Sequence, residues 1–211
     1  MPVTITMLIC AVILVAVIVF LVWFVKRMNK IQRTVSNMDR EAIDALLTRR
    51  SVRKYKPEQV SRETLDRLLE IATYAPNGKG LQTPLIAVVQ DKETTDRLRR
   101  MNAEIWGKGD IDPYYGAPTI IVVFAPTDGS SYVEDGSSVL TYLTIAAHVL
   151  GLGSCWVNRE LQMFETGEGK AMKKAWGIPE KFVGIGGVAV GYVDGELPKP
   201  APRKPDYVKW V

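Results

Sequence analysis

Four cationic side chains and a hydroxyl occur within seven residues, in the segment Arg49-Arg50-Ser51-Val52-Arg53-Lys54-Tyr55. A phosphate group has three acceptor oxygens and nearly two negative charges, so guanidinium groups, small hydroxyls and backbone N–H groups bind it well. Arg49, Ser51 and Arg53 alternate, and in an extended segment alternate side chains share one face. The segment is therefore a candidate site for a phosphorylated anion, with a solvated basic face as the alternative.

Two further segments carry groups that suit a ligand of this kind. In the loop Pro76-Asn77-Gly78-Lys79-Gly80-Leu81-Gln82, two glycines allow the backbone to approach a ligand. The amides of Asn77 and Gln82 suit the edge of a heteroaromatic ring, although a plain turn is the alternative. Near the end of the chain, Pro202-Arg203-Lys204-Pro205 holds two cations in a stiff context, with a solvated tail as the alternative.

Three other features are interpreted as structural. The glycines of Gly184-Ile185-Gly186-Gly187-Val188-Ala189 match a dinucleotide fingerprint, but Tyr192 and then prolines follow where that fingerprint needs a helix, so a strand is predicted. His148 lies in an apolar helical stretch and is interpreted as a packed or hydrogen-bonded residue. Cys155 has apolar neighbours and no acid/base partner set by the sequence, so packing is expected.

Helices interleaved with strands must position these residues. Short amphipathic helices are predicted around residues 42–47 and 65–72, with Ser61 as the N-cap of the second. Further helices are predicted over residues 94–106, 133–150 and 164–176, and Gly151 is expected to end the middle one. Apolar runs predict strands over residues 85–89, 119–124, 154–157 and 182–192. The proline-rich tail from residue 194 onward is expected to be irregular.

Residues 7–25 contain no charged residue, and Trp23 lies where an interfacial aromatic residue belongs. This composition predicts a single membrane span within residues 1–25, followed by a basic juxtamembrane connector over residues 26–38 and one domain over residues 39–211. The connector carries four cations and no acid, so the positive-inside rule predicts a single-pass protein of the cell membrane with its domain facing the cytoplasm. Residues 3–33 are then expected to contact lipid.

Charge and cysteine content exclude several classes of protein. Removing the four connector cations from the 27 basic residues leaves 23, which equals the 23 acidic residues. Nucleic-acid binding is therefore not expected, because a neutral domain lacks the electrostatic attraction that dominates it. The two cysteines lie in the predicted span and in the domain, so no disulfide is expected. A single histidine and no Cys/His cluster leave nothing from which to build a metal site.

The order of these motifs resembles the FMN-dependent nitroreductase family over nearly all of residues 39–211. The arginine/serine block follows the first helix, an Ala-Pro-x-Gly-x-x-x-Gln loop follows the second, and Gly151-Leu152-Gly153-Ser154-Cys155-Trp156 follows the long helix. Gly191-Tyr192 then leads into the tail. The resemblance implies an α+β fold with a mixed sheet flanked by helices, and a homodimer with FMN at the subunit interface.

The resemblance also implies roles for individual positions. Arg49 and Ser51 would hold the FMN phosphate, and Arg53 would lie near the pyrimidine edge and stabilise the reduced cofactor. Gln82 would contact the ring or ribityl chain, and Arg203 would return to the phosphate. The full set of expected cofactor-binding residues is Arg49, Arg50, Ser51, Arg53, Asn77, Gln82, Trp156, Val157, Asn158 and Arg203.

The implied activity is the reduction of nitroaromatics, quinones or similar electron-poor acceptors by NADH or NADPH in ping-pong order. FMN itself carries hydride, so no catalytic side chain is expected. Two departures from the family pattern bear on substrate preference. Gly80 stands where many members have an asparagine, and the tryptophan that often follows Gln-Pro is absent. A non-catalytic, membrane-tethered flavin sensor or scaffold is the alternative function.

Overall fold

The computed structural model describes the backbone of residues 3–211 and the side chains of residues 13–30, 32 and 40–211. Contacts divide the chain into two compact units, residues 1–47 and 48–211. The first unit consists of helix α1 (Val3–Thr48) except for Thr48, which belongs to the second unit. The predicted connector over residues 26–38 and the predicted short helix at residues 42–47 are turns of this one helix. The proposed segment boundaries at residues 25 and 38 stay predictions.

The predicted membrane anchor is corrected. Within the described residues, no helix has an apolar stretch that could cross a bilayer. The expectation of a single-pass membrane location is therefore wrong, whereas lipid contact through residues 3–33 stays a prediction. The side chains of residues 1–12, including Cys10, lie outside the described part.

The second unit is an α+β domain of helices around one four-stranded sheet. Its strands are β1 (Leu85–Val89), β2 (Thr119–Pro126), β3 (Gly153–Val157) and β4 (Phe182–Gly191). Its helices are α2 (Arg62–Thr73), α3 (Lys92–Trp106), α4 (Tyr132–Val149), α5 (Glu160–Glu165) and α6 (Gly167–Ala175). A short 3-10 turn spans Gly78–Gly80. The tail from residue 194 onward is irregular, as predicted.

The strand order is β1-β2-β4-β3, and every neighbouring pair of these strands is antiparallel. The predicted mixed sheet is therefore wrong for the named strands. Val89 pairs with Ile120, so β2 begins beside the end of β1. Helix α3 and the loop after it thus lead the chain out and back to the same end of the sheet, and a helical connection does not produce a parallel pair here.

Both faces of the sheet are covered by helices. Side chains from α2 and α4 pack on one face against Ile121 and Val188, and side chains from α3, α5 and α6 pack on the other against Ile120 and Ala189. Strand β2 is buried along its whole length, which explains why its sequence is continuously apolar. Such a three-layer arrangement leaves ligands access mainly at the sheet edges and the loops.

Strand β4 contains one irregularity. Val123 pairs with Gly186 whereas the next residue, Phe124, pairs with Gly184, so Ile185 is the extra residue of a β-bulge. The side chain of Ile185 packs against Gly136 of α4, where a Cβ atom would lie 2.6 Å from Ile185 Cγ1. The glycine at position 136 thus provides the space that the extra residue needs.

Local signals set the element ends. Ser61 caps α2 by accepting a hydrogen bond from the Thr64 N–H at 3.2 Å, as predicted. Gly151 has a φ of 76° and follows Leu150, the C-cap of α4, so it ends this helix as predicted. The single helix predicted over residues 164–176 is wrong. Thr166 adopts an extended conformation and caps α6 through the Gly169 N–H, so the chain forms two helices there.

Candidate functional site

The arginine/serine block lies against the edge strand β3. Ser51 forms a parallel bridge with Ser154, and the Val52 N–H donates to the Ser154 carbonyl at 2.9 Å. The Val52 side chain is buried, whereas Ser51 and Arg53, one residue to either side, line an open pocket. The backbone therefore holds the alternating pattern that the sequence suggested, with the apolar residue inside and the polar residues facing outward.

This pocket brings the two ends of the second unit together. We call it the arginine pocket. Its volume is about 280 Å³, and it is lined by Arg49, Arg50, Ser51, Arg53, Pro198, Lys199, Pro200, Ala201 and Arg203. Five of these lining residues are cationic and none is acidic. Arg50 Nη1 donates to the Arg49 carbonyl at 2.8 Å, which fixes one guanidinium against the wall. The arrangement is suited to an anion with several acceptor oxygens.

Two neighbouring titratable groups lie in the positive field of this pocket. His148 is half-buried and hydrogen-bonded to the Thr48 hydroxyl at 2.9 Å, and its pKa is lowered by burial and then by Arg49 and Arg50. Cys155 is buried, and burial raises the pKa of its thiol despite the nearby Arg53. His148 is thus hydrogen-bonded and Cys155 is packed, as the sequence indicated, and neither has the environment of a nucleophile or its base.

The Asn77–Gln82 loop does not line the pocket formed by the arginine/serine block and the tail. Asn77 and Gln82 line a second depression of about 470 Å³, together with Glu70, Thr73, Tyr74 and Ala75. The Asn77 Oδ1 atom accepts from the Gln82 N–H at 2.8 Å, and Asp135 Oδ1 accepts from the Gly78 N–H at 2.8 Å. Gln82 has a φ of 52°, so this loop is tightly wound. Within one described chain, neither Asn77 nor Gln82 lines the arginine pocket.

The three residues of the Trp156–Asn158 segment differ in how far they are available to a ligand. Trp156 is 37% exposed and its indole lies over Gly186, where a Cβ atom would be 2.7 Å from Nε1. The Val157 side chain is buried in the sheet core, so only its backbone is available to a ligand. The Asn158 carbonyl accepts from Asn102 Nδ2 at 2.9 Å, which fixes the backbone where β3 ends.

A buried polar network behind this segment was not predicted from the sequence. Asn102 Oδ1 accepts from Arg159 Nε at 2.7 Å, and Glu160 Oε1 accepts from the Tyr114 hydroxyl at 2.8 Å. Glu160 is fully buried, and burial raises its pKa to about 7. The residues come from α3, the loop before β2 and α5, so no local spacing marks them. Lys199 of the pocket and Tyr115, described below, were missed for the same reason.

Comparisons with known proteins agree with this architecture. Residues 46–192 match the sequence pattern of the Nitroreductase family. A protein of Archaeoglobus fulgidus named "Putative NADH dehydrogenase/NAD(P)H nitroreductase" is 34% identical over 164 residues, which cover 74% of this chain and 87% of the relative. The crystal structure of a Bacteroides fragilis nitroreductase with bound FMN has a TM-score of 0.74 at 27% identity, covering 81% of this chain and 98% of the other.

A second solved structure gives the same result. An FMN-dependent nitroreductase of Clostridium difficile has a TM-score of 0.69 at 28% identity, with coverage of 82% of this chain and 100% of the other. The family pattern covers more than half of the present sequence, and its range includes the arginine/serine block, the glycine loop and all four strands. This chain belongs to the nitroreductase family.

Proposed function

We propose that the protein is an FMN-dependent oxidoreductase that uses NADH or NADPH to reduce nitroaromatics, quinones or similar electron-poor acceptors in ping-pong order. One observation carries the proposal. Arg49, Ser51, Arg53 and Arg203 come from opposite ends of the domain and line one pocket. The family of the chain, the FMN in the Bacteroides fragilis structure and the NAD(P)H nitroreductase name of the Archaeoglobus fulgidus relative support the choice of cofactor and donor.

The residues present fit the phosphate end of FMN. A phosphate monoester needs cations and hydrogen-bond donors without a competing carboxylate, and the arginine pocket offers five cations and the Ser51 hydroxyl. Arg49, Ser51 and Arg203 would hold the phosphate, with Arg50 lining the same wall. Lys199, which also lines the pocket, adds a positive charge to that of the arginines.

The rest of the cofactor would extend from this pocket. Arg53 would lie at the pyrimidine edge, and the backbone of Trp156, Val157 and Asn158 would pass the other edge. Bound FMN would accept hydride from the nicotinamide and pass it to the acceptor. The task of the protein is then to bind, orient and stabilise negative charge, which agrees with a pocket rich in guanidinium groups.

We further propose a homodimer in which each site takes residues from both subunits. Asn77 and Gln82 line a depression separate from the arginine pocket of their own chain, although both are expected to contact FMN. A partner subunit would bring its own loop to the pocket and complete the site. This arrangement reconciles the two sets of residues without moving either element.

The test is direct. Protein purified without added cofactor should show a flavin absorption spectrum, and anaerobic addition of NADH or NADPH should bleach it. A nitroaromatic or a quinone added afterwards should restore the colour and be reduced. Retained colour without bleaching would favour a flavin-binding sensor or scaffold, and colourless protein that does not take up FMN would refute the proposal.

A further inference from the structure

The guanidinium of Arg53 is held mainly by the side chain of Tyr115. Arg53 Cζ lies 5.6 Å from the centre of the Tyr115 ring, within the range of a cation–π contact. The guanidinium also hydrogen-bonds the Tyr115 side chain, and Nη1 donates a long hydrogen bond of 3.4 Å to the Ser51 carbonyl. No ion pair to Arg53 is found in the described part of the chain. Tyr115 is thus the main group that restrains this exposed side chain.

Tyr115 itself is placed by a strained turn. Its φ is 58°, a left-handed value that is rare for a bulky residue. The Asp112 carboxylate fixes the turn by accepting from the N–H groups of Tyr114 and Gly116. Arg99 fastens it further, because it pairs with Asp112 at 3.2 Å and donates to the Ala117 carbonyl at 2.6 Å. Strained residues of this kind persist where the surroundings over-determine them, and they cluster at functional sites.

The choice of a ring as the partner has a chemical consequence. A carboxylate beside Arg53 would neutralise the guanidinium and occupy its N–H donors. A π face attracts the cation through the quadrupole of the ring and leaves the positive charge available to a ligand. The pKa of Arg53 is raised from its usual value, first by the hydrogen bond to the Tyr115 side chain, so this group stays charged.

We propose that Tyr115 is a positioning residue that orients Arg53 toward bound FMN and thereby raises the reduction potential of the cofactor. The inference depends on the proposed function, because it needs FMN in the arginine pocket. Transfer of a hydride adds two electrons and one proton to FMN, so the reduced cofactor carries one more negative charge until a further proton binds. A guanidinium held in place stabilises that charge more than a mobile one, because no reorganisation is needed.

The experiment measures the midpoint potential of the bound FMN in the wild type and in variants of Tyr115 and Arg53. Tyr115→Asn removes the ring and suits a positive φ, whereas Tyr115→Phe keeps the ring and removes only the hydroxyl. We expect Tyr115→Asn to weaken the preference for reduced over oxidised FMN about tenfold, which lowers the potential by about 30 mV. Tyr115→Phe should lower the potential less than Tyr115→Asn does, because the ring contact remains. Tyr115→Gly, which suits the turn equally well, replaces Tyr115→Asn if the latter does not fold.

A double-mutant cycle with Arg53→Gln identifies the route of the effect. If Tyr115 acts through Arg53, the Tyr115→Asn change should leave the potential unaltered in the Arg53→Gln background. An equal fall in both backgrounds, or no fall in the single variant, would overturn the inference. Protein that binds no FMN would refute the proposed function, whereas FMN at an unchanged potential in Tyr115→Asn would refute this inference alone.

A measurement without cofactor tests the contact itself. The Arg53 Nε–H resonance, assigned by its loss in Arg53→Gln, should show a ring-current shift that disappears in Tyr115→Asn and persists in Tyr115→Phe. An Arg53 resonance that is the same in all three proteins would show that the ring does not hold the guanidinium, and the inference would fall.

Discussion

The N–H of Val52 donates to the carbonyl oxygen of Ser154 at 2.9 Å, and this one contact joins the arginine block to the edge of the sheet. Ser154 lies two residues before Trp156, so two of the segments proposed to touch FMN are linked through main-chain atoms. The cations at positions 49 and 53 are thus positioned by the sheet, although they lie outside its strands.

The first prediction concerns the side chain of Val52, which packs beneath this link. Val52 and Val60 are both buried, and replacing either with alanine should lower the free energy of unfolding by about 1–3 kcal/mol through the cavity that results. Only Val52→Ala should also weaken FMN binding, because Val52 supports the arginine block and Val60 does not. Denaturant unfolding and fluorescence titration with FMN measure the two effects. Equal FMN affinities in the two variants would contradict the supporting role given to the Val52 side chain.

The second prediction concerns the phosphate. The double change of Arg49→Ala with Ser51→Ala should release FMN, because each lost charge-assisted hydrogen bond contributes about 1.5–3 kcal/mol. Arg62→Ala is the control, since Arg62 is a surface cation paired with Asp66 outside the pocket. Flavin content after purification reports the result. Normal flavin content in the double variant would place the phosphate elsewhere.

The third prediction concerns the sharing of sites between subunits. If the arginine pocket of one subunit meets the loop of the other, mixing Arg49→Ala/Ser51→Ala protein with Asn77→Ala/Gln82→Ala protein should restore one intact site in each mixed dimer. Statistical exchange of subunits would then return about a quarter of the wild-type activity. Activity that stays at the level of the separate variants after verified exchange would mean that each site is built within one chain.

The fourth prediction concerns His148. Positive charge from Arg49 and Arg50 adds to burial in lowering the pKa of His148, so neutralising that charge should raise it. Saturation with inorganic phosphate or FMN, and separately the Arg49→Ala change, should both move the histidine titration upward in NMR spectra. Lys54→Ala is the control, because Lys54 pairs with Asp194 away from this pocket. If the pKa of His148 does not change when phosphate is added, the anion binds elsewhere.

The fifth prediction concerns the buried carboxyl group of Glu160. Its pKa rises from 4.5 to about 7 because it is buried. The folded protein therefore keeps a proton that the unfolded chain releases, and the free energy of unfolding from this group falls as pH rises between about 4.5 and 7. Above about pH 7 the decrease in the free energy of unfolding reaches a plateau of about 3 kcal/mol.

Glu160→Gln should remove this contribution and give a flatter dependence of stability on pH. Glu165→Gln, an exposed change in the same helix, is the matched control and should retain the slope of the wild type. Urea unfolding at pH 5, 6, 7 and 8 distinguishes them. A wild-type slope in the Glu160→Gln protein would mean that another group titrates in this range.

Local signals in the sequence were sufficient for much of the fold. The apolar run Leu85–Val89 predicted β1 to the residue, and Ser61 and Gly151 marked helix ends, because each signal depends on neighbours in the chain. The break at Thr166 was missed, since helical periodicity continues across it. The antiparallel pairing was missed because it depends on where the chain returns after α3 and not on the strand itself.

The candidate site, like the fold, could be predicted from the sequence only in part. The cations and the Ser51 hydroxyl were visible as a motif, and they line one pocket with Arg203, whereas their contact with FMN stays a prediction. Tyr115 was invisible, because its role depends on a φ of 58° and on contacts from α3. The Glu160–Tyr114 pair was hidden for a related reason, since it joins residues 46 positions apart.

The bulge in β4 has a consequence for comparing relatives. Ile185 is an additional residue whose removal would leave a regular ladder, with Val123 still opposite position 186 and Phe124 opposite position 184. The space above Gly136 would then be vacant. Substitutions at these two sites should consequently be correlated in evolution: a lineage with a shortened strand should compensate with a bulkier amino acid at the helix position.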